Sequence, residues 1–197
     1  VEDRRAHPAD DLITSLIAAE QDGVRLSTDE LITTCILLLN AGHEATVHTL
    51  GNGISALLQH NISSAAYHPD NINKTVEEIL RFDPPLHLFT RWAYEDSEIF
   101  GHKISAGDEV GLLLASANRD GAQWRNPARF DVGRAIKPNA SFGAGVHFCV
   151  GAPLARLELA TALPILFARL PGLRLADAPK YANLYHFRGL EALNVVL

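Results

Sequence analysis

Phe142-Gly143-Ala144-Gly145-Val146-His147-Phe148-Cys149-Val150-Gly151 gathers glycines, a histidine and a cysteine into one short run. Two glycines two apart suit a phosphate cradle, but the dinucleotide fingerprint G-x-G-x-x-G needs a third glycine where Phe148 stands. Cys149 offers a different chemistry. It sits just ahead of a helix predicted from Pro153 to Leu170, where free backbone amides and the helix dipole favour an anion. The glycines before it let the backbone approach a flat ligand closely, and His147 is placed to donate to that ligand's carboxylates.

Working outward, the helix after Cys149 opens with Pro153, suited to a first turn, while Pro164 should kink or break it. Before the cysteine run, Ala117 to Asn139 is a coil of Asn, Arg, Asp, Gly and Pro, and coils of that length in compact domains are usually functional. Leu88 to Ala93, Glu98 to Ile104 and Val110 to Ala115 alternate with Gly and Asp turn signals and read as short strands. Asn71 to Phe82 has helical spacing and stops at Asp83-Pro84-Pro85, because the residue before a proline is pushed out of the α region. Ser27-Thr28-Asp29-Glu30 fits a capping box. No proline follows until past Gln59, which allows a helix of about 43 Å. Its first half, Leu31 to Leu39, is apolar on every side and predicts enclosure within something larger. Tyr181 to Leu197 reads as a terminal hairpin.

The 197 residues are 47% apolar and 20% charged, which excludes the disordered and low-complexity classes. A net charge of −6 provides no basic footprint for nucleic acid or an anionic membrane. Leu31 to Leu39 runs into Asn40, Gly42, His43 and Glu44, short of the ~20 apolar residues that span a bilayer. Two distant cysteines, Cys35 and Cys149, are too few for a disulfide framework and suit a reducing compartment, so the chain is expected in the cytoplasm. Val1 in place of Met, and a charged opening without an apolar run, predict no signal peptide and a piece of a longer protein.

F-G-x-G-x-H-x-C-x-G, continued by Ala152-Pro153-Leu154-Ala155-Arg156-Leu157-Glu158, resembles the heme-thiolate signature of the cytochrome P450 superfamily in its bacterial members. The resemblance implies a mainly α fold with a minor β region, matched here over its C-terminal half only, with the N-terminal half absent. The long central helix would be 28–59, the E-x-x-R helix 71–82 and the heme-thiolate loop 142–151. It implies heme b (iron protoporphyrin IX) as cofactor, with Cys149 as axial ligand of the iron, His147 on a propionate, and Phe142, Gly143 and Gly145 shaping the loop. A cysteinate ligand pushes electron density to iron and favours O–O cleavage.

Glu78-Ile79-Leu80-Arg81 puts an acid and a base at i and i+3 on one helix face, a spacing that is commonplace on solvated helices. Beside the cysteine run it resembles the family's E-x-x-R helix, whose pair is locked by a basic residue from the coil ahead of the loop. Pro127-Ala128-Arg129-Phe130 resembles that coil motif, which makes Arg129 the expected third member, in a structural role.

Ala41-Gly42-His43-Glu44-Ala45-Thr46 sets polar groups into an apolar helix, a costly arrangement that marks function. His43-Glu44 opens an H-E-x-x-H zinc motif, but Val47 stands at the second histidine position and His48 points about 140° away from His43. A zinc hydrolase is therefore the remote alternative. The run resembles instead the family's A-G-x-[D/E]-T-[T/S] motif, in which an acid and an alcohol deliver protons to dioxygen and Ala41, Gly42 and Ala45 lie beside the heme. Glu44 matches the acid. Ala45 occupies the alcohol position, and the nearest hydroxyl is Thr46, about 100° further round the helix. Three possibilities stay open: Thr46 with ordered water substitutes, a substrate hydroxyl completes the relay, or oxygen is used inefficiently and peroxide is released.

Arg91 resembles a second propionate partner. Leu86, His87 and Leu88, Leu184 and Tyr185, and Leu38 on the long helix resemble segments lining the substrate pocket, and a mostly apolar lining suggests a small apolar substrate. Val150 and Arg156 would lie near the face where the electron donor docks. The implied reaction inserts one oxygen atom from O2 into such a substrate, with electrons from NAD(P)H through a ferredoxin reductase and ferredoxin. A truncated, non-catalytic chain is the alternative from a different class.

Overall fold

The computed structural model describes residues 1–21 and 23–197, which fall into two compact units, Val1–Glu44 and Ala45–Leu197. The first unit opens with α1 (Glu2–Ala6) and α2 (Leu12–Ala18); Asp11 caps α2 by accepting the Thr14 backbone N–H at 2.8 Å. A hairpin of β1 (Glu20–Gln21) and β2 (Val24–Arg25) turns at Gly23. α3 (Thr28–Gln59) follows, started by the capping box in both directions: the Glu30 N–H donates to Ser27 Oγ at 3.3 Å and the Ser27 N–H to Glu30 Oε2 at 2.8 Å. Of its apolar opening, Leu31 is buried, whereas Ile36, Leu37 and Leu39 are 56%, 62% and 75% exposed. Among the described residues the first unit sets two short helices and a hairpin against this stretch, which does not supply the larger enclosure that its apolar circumference calls for.

The second unit holds the rest of α3, then α4 (Ile72–Phe82), β3 (Leu88–Trp92), β4 (Ser97–Ile99), β5 (His102–Ile104), β6 (Glu109–Leu113) and α5 (Leu114–Ala117). After the long coil come α6 (Ala152–Arg169), β7 (Arg174–Leu175), β8 (Lys180–Tyr181), β9 (Leu190–Ala192) and β10 (Val195–Val196). All strand pairs are antiparallel: β3 with β6, β4 with β5, β7 with β10 and β8 with β9. Two strand expectations are corrected. The span Glu98 to Ile104 is a tight hairpin, because Phe100 and Gly101 both take positive φ and reverse the chain. The terminal hairpin forms as β8 with β9, Tyr181 opposite Leu190, but β10 leaves it and pairs with β7.

The core of this unit packs Ala56 and Leu57 of α3, Ile72, Val76, Ile79 and Leu80 of α4, Phe130 from the coil, and Leu159 and Leu163 of α6. Gly53 makes the α3–α4 contact possible, since a Cβ there would lie 2.8 Å from Ile79 Cγ2. α6 runs unbroken through Pro164, against expectation. Pro164 still removes one backbone hydrogen bond, but Leu159 and Leu163, both fully buried, hold the helix in place next to the lost bond. Among the described residues no helix is long and apolar enough to cross a membrane.

Candidate functional site

Phe142 to Cys149 forms a loop closed at its ends by the Cys149 N–H, which donates to the Phe142 carbonyl at 3.0 Å. Gly143 and Gly145 sit at φ +68° and +66°, the left-handed region that other L residues enter only with strain. The Gly143 N–H donates to the Ala140 carbonyl at 2.9 Å and the Phe148 N–H to Gly145 at 3.0 Å, so each left-handed turn is closed by its own bond. The Cys149 carbonyl then accepts from the Ala152 N–H at 3.2 Å and starts α6. Cys149 and His147 are both exposed, as are Val146 and Val150, 98% and 87%, and half of Phe148. Phe142 turns inward and joins the rim of the core, with the Arg156 guanidinium 4.7 Å from its ring. The loop thus presents a thiol, an imidazole and a broad apolar surface together.

Behind the loop lies a buried charge network. The side chains of Glu78 and Arg81 are each 1% exposed, far from the solvated pair that the i, i+3 spacing alone would suggest. Arg81 uses all five of its N–H donors: Nε and Nη2 on Glu78 at 2.7 and 2.8 Å, Nη1 on the carbonyls of Asn118 and Pro127 at 3.0 and 2.9 Å, and Nη2 on the Arg129 carbonyl at 3.2 Å. Glu78 also accepts the Asp131 backbone N–H at 2.8 Å and Arg134 Nε at 3.1 Å.

The third basic side chain is therefore Arg134, not Arg129. Arg129 is exposed and contributes its backbone carbonyl, on which Arg81 and Arg134 both donate. Glu78 Oε2 takes both Arg81 Nε and Arg134 Nε, and the Arg134 guanidinium is held there by further bonds to the carbonyls of Arg125, Asn126 and Arg129. Arg134→Ala should cost about 1.5–3 kcal/mol in denaturant unfolding, whereas Arg129→Ala should stay within about 0.5 kcal/mol. Equal losses would return the side chain of Arg129 to the network.

Asn118, which carried no signal in the sequence, joins this network to the loop. Its own carbonyl takes Arg81, its Oδ1 accepts the Ala140 N–H at 2.7 Å, and its Nδ2 donates to Ser141 Oγ at 2.7 Å. Ser141 Oγ in turn donates to the Leu80 carbonyl at 2.7 Å, anchoring the entry of the loop on α4. Glu77, one residue before Glu78, takes Arg156 of α6 and Asn139 Nδ2, so Arg156 braces the helix that follows the cysteine.

The remaining candidates divide. Leu86 forms an isolated antiparallel bridge with Phe187, which brings Leu86, His87 and Leu88 next to the segment that contains Leu184 and Tyr185. His87 is half-buried and burial holds its imidazole below the usual histidine range. Leu184 and Tyr185 are 45% and 78% exposed. Arg91 is exposed on β3, its Nη1 donating to the Thr90 carbonyl at 2.8 Å. Thr46 lines a cleft of about 400 Å³ with Leu50 and with Leu157, Glu158, Thr161 and Ala162 of α6, a different wall from Leu86 to Leu88. In the first unit, Leu38 and Cys35 are half-buried, and Ala41, Gly42 and Glu44 exposed. Among the described residues no three of His, Cys, Asp and Glu cluster in a geometry suited to a metal ion, so the zinc reading of His43 and Glu44 finds no ligand set.

The loop offers one exposed cysteine sulfur on paired glycine turns and is backed by a buried Glu–Arg–Arg lock. The profile of the family described as Cytochrome P450 matches residues 71–170, and the chain belongs to that family. The polyketide biosynthesis cytochrome P450 PksS of Bacillus subtilis (strain 168) is 43% identical over 203 residues, which cover 100% of this chain and 50% of that protein. The vitamin D(3) 25-hydroxylase of Pseudonocardia autotrophica is 43% identical, with 100% and 51% covered. Among solved structures, P450BioI in complex with a hexadec-9Z-enoic acid ligated acyl carrier protein superposes with a TM-score of 0.93 at 42% identity, over 100% of this chain and 50% of that one. The chain spans about half the length of the curated relatives it matches.

Proposed function

We propose that this chain is the heme-carrying part of a cytoplasmic P450 monooxygenase that inserts one oxygen atom of O2 into a small apolar organic substrate. Electrons would come from NAD(P)H through a ferredoxin reductase and ferredoxin. The observation that carries the reading is the loop from Phe142 to Cys149, whose two left-handed glycines and closing hydrogen bond leave the sulfur exposed beside the start of α6.

The residues fit heme. A Cβ at Gly145 would project into open space, the surface of Val146, Phe148 and Val150 is apolar and uncovered, and a thiol, an imidazole and a guanidinium are the donors a porphyrin with two carboxylates requires. Cys149 would hold the iron, and His147 and Arg91 would take the propionates. When bound, the heme supplies the activation of dioxygen. The chain's own residues do the rest. The hydrogen bonds that close the loop and start α6 would fix Cys149 in place, and the buried lock would keep the loop from yielding as the ligand seats. Glu44 and Thr46, two residues apart on α3, would hold and pass protons, with Thr46 Oγ1 as the nearest hydroxyl to the Ala45 position.

Binding of carbon monoxide to the reduced protein tests the reading: a red-shifted Soret band reports thiolate ligation, and its absence from fully reduced, heme-loaded protein overturns the proposal. The proton route has its own test. Thr46 opens on the cleft toward α6, and a hydroxyl at position 45 would lie about 100° away on the helix. Ala45→Thr is therefore expected to raise the product formed per NAD(P)H consumed and to lower peroxide release. A drop in turnover instead would mean that the substrate supplies the missing hydroxyl and is crowded by the new side chain.

A further inference from the structure

Asp83 ends α4, is 8% exposed, and receives two side chains from a segment about a hundred residues later. Tyr181 Oη donates to Asp83 Oδ2 at 2.6 Å, and Arg188 Nε donates to Asp83 Oδ1 at 2.8 Å. The Arg188 guanidinium also lies 3.5 Å from the centre of the Tyr181 ring. Burial and the bond to Asp83 push the Tyr181 phenol up to about 12, so it stays a donor across the working range. Tyr181 and Arg188 are the two ends of one loop, Ala182 to Phe187, and each takes a different oxygen of the same carboxylate. The backbone repeats the connection: the Arg188 N–H donates to the Pro85 carbonyl at 2.7 Å, and Asn52 Nδ2 of α3 donates to the carbonyls of Arg188 and Asp83 at 2.8 and 3.2 Å.

We propose that Asp83 is a positioning residue that clasps the base of the loop Ala182 to Phe187 and so sets the spacing between its pocket-facing residues, Leu184 and Tyr185, and the facing segment Leu86 to Leu88. The proposal rests on the heme-monooxygenase reading for the identity of the pocket, but the clasp itself stands on the geometry alone. Asp83 Oδ1 is also 3.9 Å from His87 Nε2, so the carboxylate bears on both walls at once. The substitution Asp83→Asn, neutral and isosteric, keeps the shape and loses the charge that holds Arg188. Tyr181→Phe keeps the ring under the guanidinium and deletes only the hydroxyl. Charge-assisted bonds to buried carboxylates are the stronger kind, and the loop's other ties are the backbone bonds at its two ends, Asn52 and the Leu86–Phe187 bridge.

Two measurements on Asp83→Asn and Tyr181→Phe test this. In native-state hydrogen exchange, the Arg188 amide should exchange about tenfold faster in Asp83→Asn, while the Cys149 amide, held on Phe142, stays unchanged. In the heme-loaded protein, titrations with imidazole and with 4-phenylimidazole are followed by the Soret shift. On the heme reading the phenyl ring would extend toward the pocket walls and imidazole would not, so 4-phenylimidazole should bind about tenfold more weakly in both variants and imidazole within about twofold of wild type. Equal weakening of both azoles, or of neither, in protein that keeps its wild-type carbon monoxide band overturns the positioning role. A failure of Asp83→Asn to fold leaves the decision to Tyr181→Phe, whose ring and packing are intact. Absence of any azole shift in the wild type overturns the heme reading and the pocket role with it, and the exchange rate of the Arg188 amide then decides the clasp alone.

Discussion

Arg81→Ala is expected to leave the protein unable to retain heme. The substitution strips Glu78 of two of its four hydrogen bonds while keeping it buried at 1% exposure, and it removes the Arg81 donors from the carbonyls of Asn118, Pro127 and Arg129, of which Arg129 keeps Arg134. Removing one partner of a buried pair costs about 3–5 kcal/mol, against a total stability of about 5–15 kcal/mol for a whole domain. The damage also falls in the right place to reach the cofactor. Asn118, which Arg81 holds by its carbonyl, carries the Ala140 N–H and Ser141 Oγ at the entry of the cysteine loop. Glu78→Ala should match it, because two guanidinium groups would then be buried without a counter-charge. Arg81→Lys should fare little better: an ammonium cannot place five donors on a carboxylate and three carbonyls in one plane. The measurement is heme absorbance per mole of purified protein together with the unfolding midpoint. Normal heme content in Arg81→Ala would show that the lock does not support the loop.

Cys149→Ala should abolish the red-shifted carbon monoxide band completely, since no other sulfur lies on the loop. Cys35 is the internal control. It is half-buried on α3, and Cys35→Ala should cost little stability and leave the spectrum intact. Heme that still binds to the Cys149→Ala protein, held by its apolar surface and propionate partners, should give an unshifted band. Loss of the thiolate spectrum in Cys35→Ala but not in Cys149→Ala would overturn the assignment of the ligand.

The sequence by itself determined the features whose partners lie within a few residues. The Ser27–Glu30 box starts α3, Asp83-Pro84-Pro85 stops α4, and Gly143 and Gly145 take the left-handed turns that close the loop between Phe142 and Cys149. Each is a short-range steric or capping requirement that a given residue type meets in any context. The E-x-x-R pair was legible as a pair, since α-helical geometry alone brings i and i+3 together.

Only the tertiary structure decided what lies across long stretches of chain. Glu78 and Arg134 are 56 positions apart, Arg81 and Asn118 are 37, and Asp83 and Arg188 are 105. An irregular coil has no periodicity to say which of its arginines turns inward, so the resemblance of the coil motif pointed to Arg129, whereas the folded coil puts Arg134 on Glu78 and leaves Arg129 exposed. The same holds for Pro164, where burial of Leu159 and Leu163 overrode a local rule that would have ended the helix. Local stereochemistry fixes elements one at a time. Which buried charge meets which is set by desolvation, which exists only once the elements have packed.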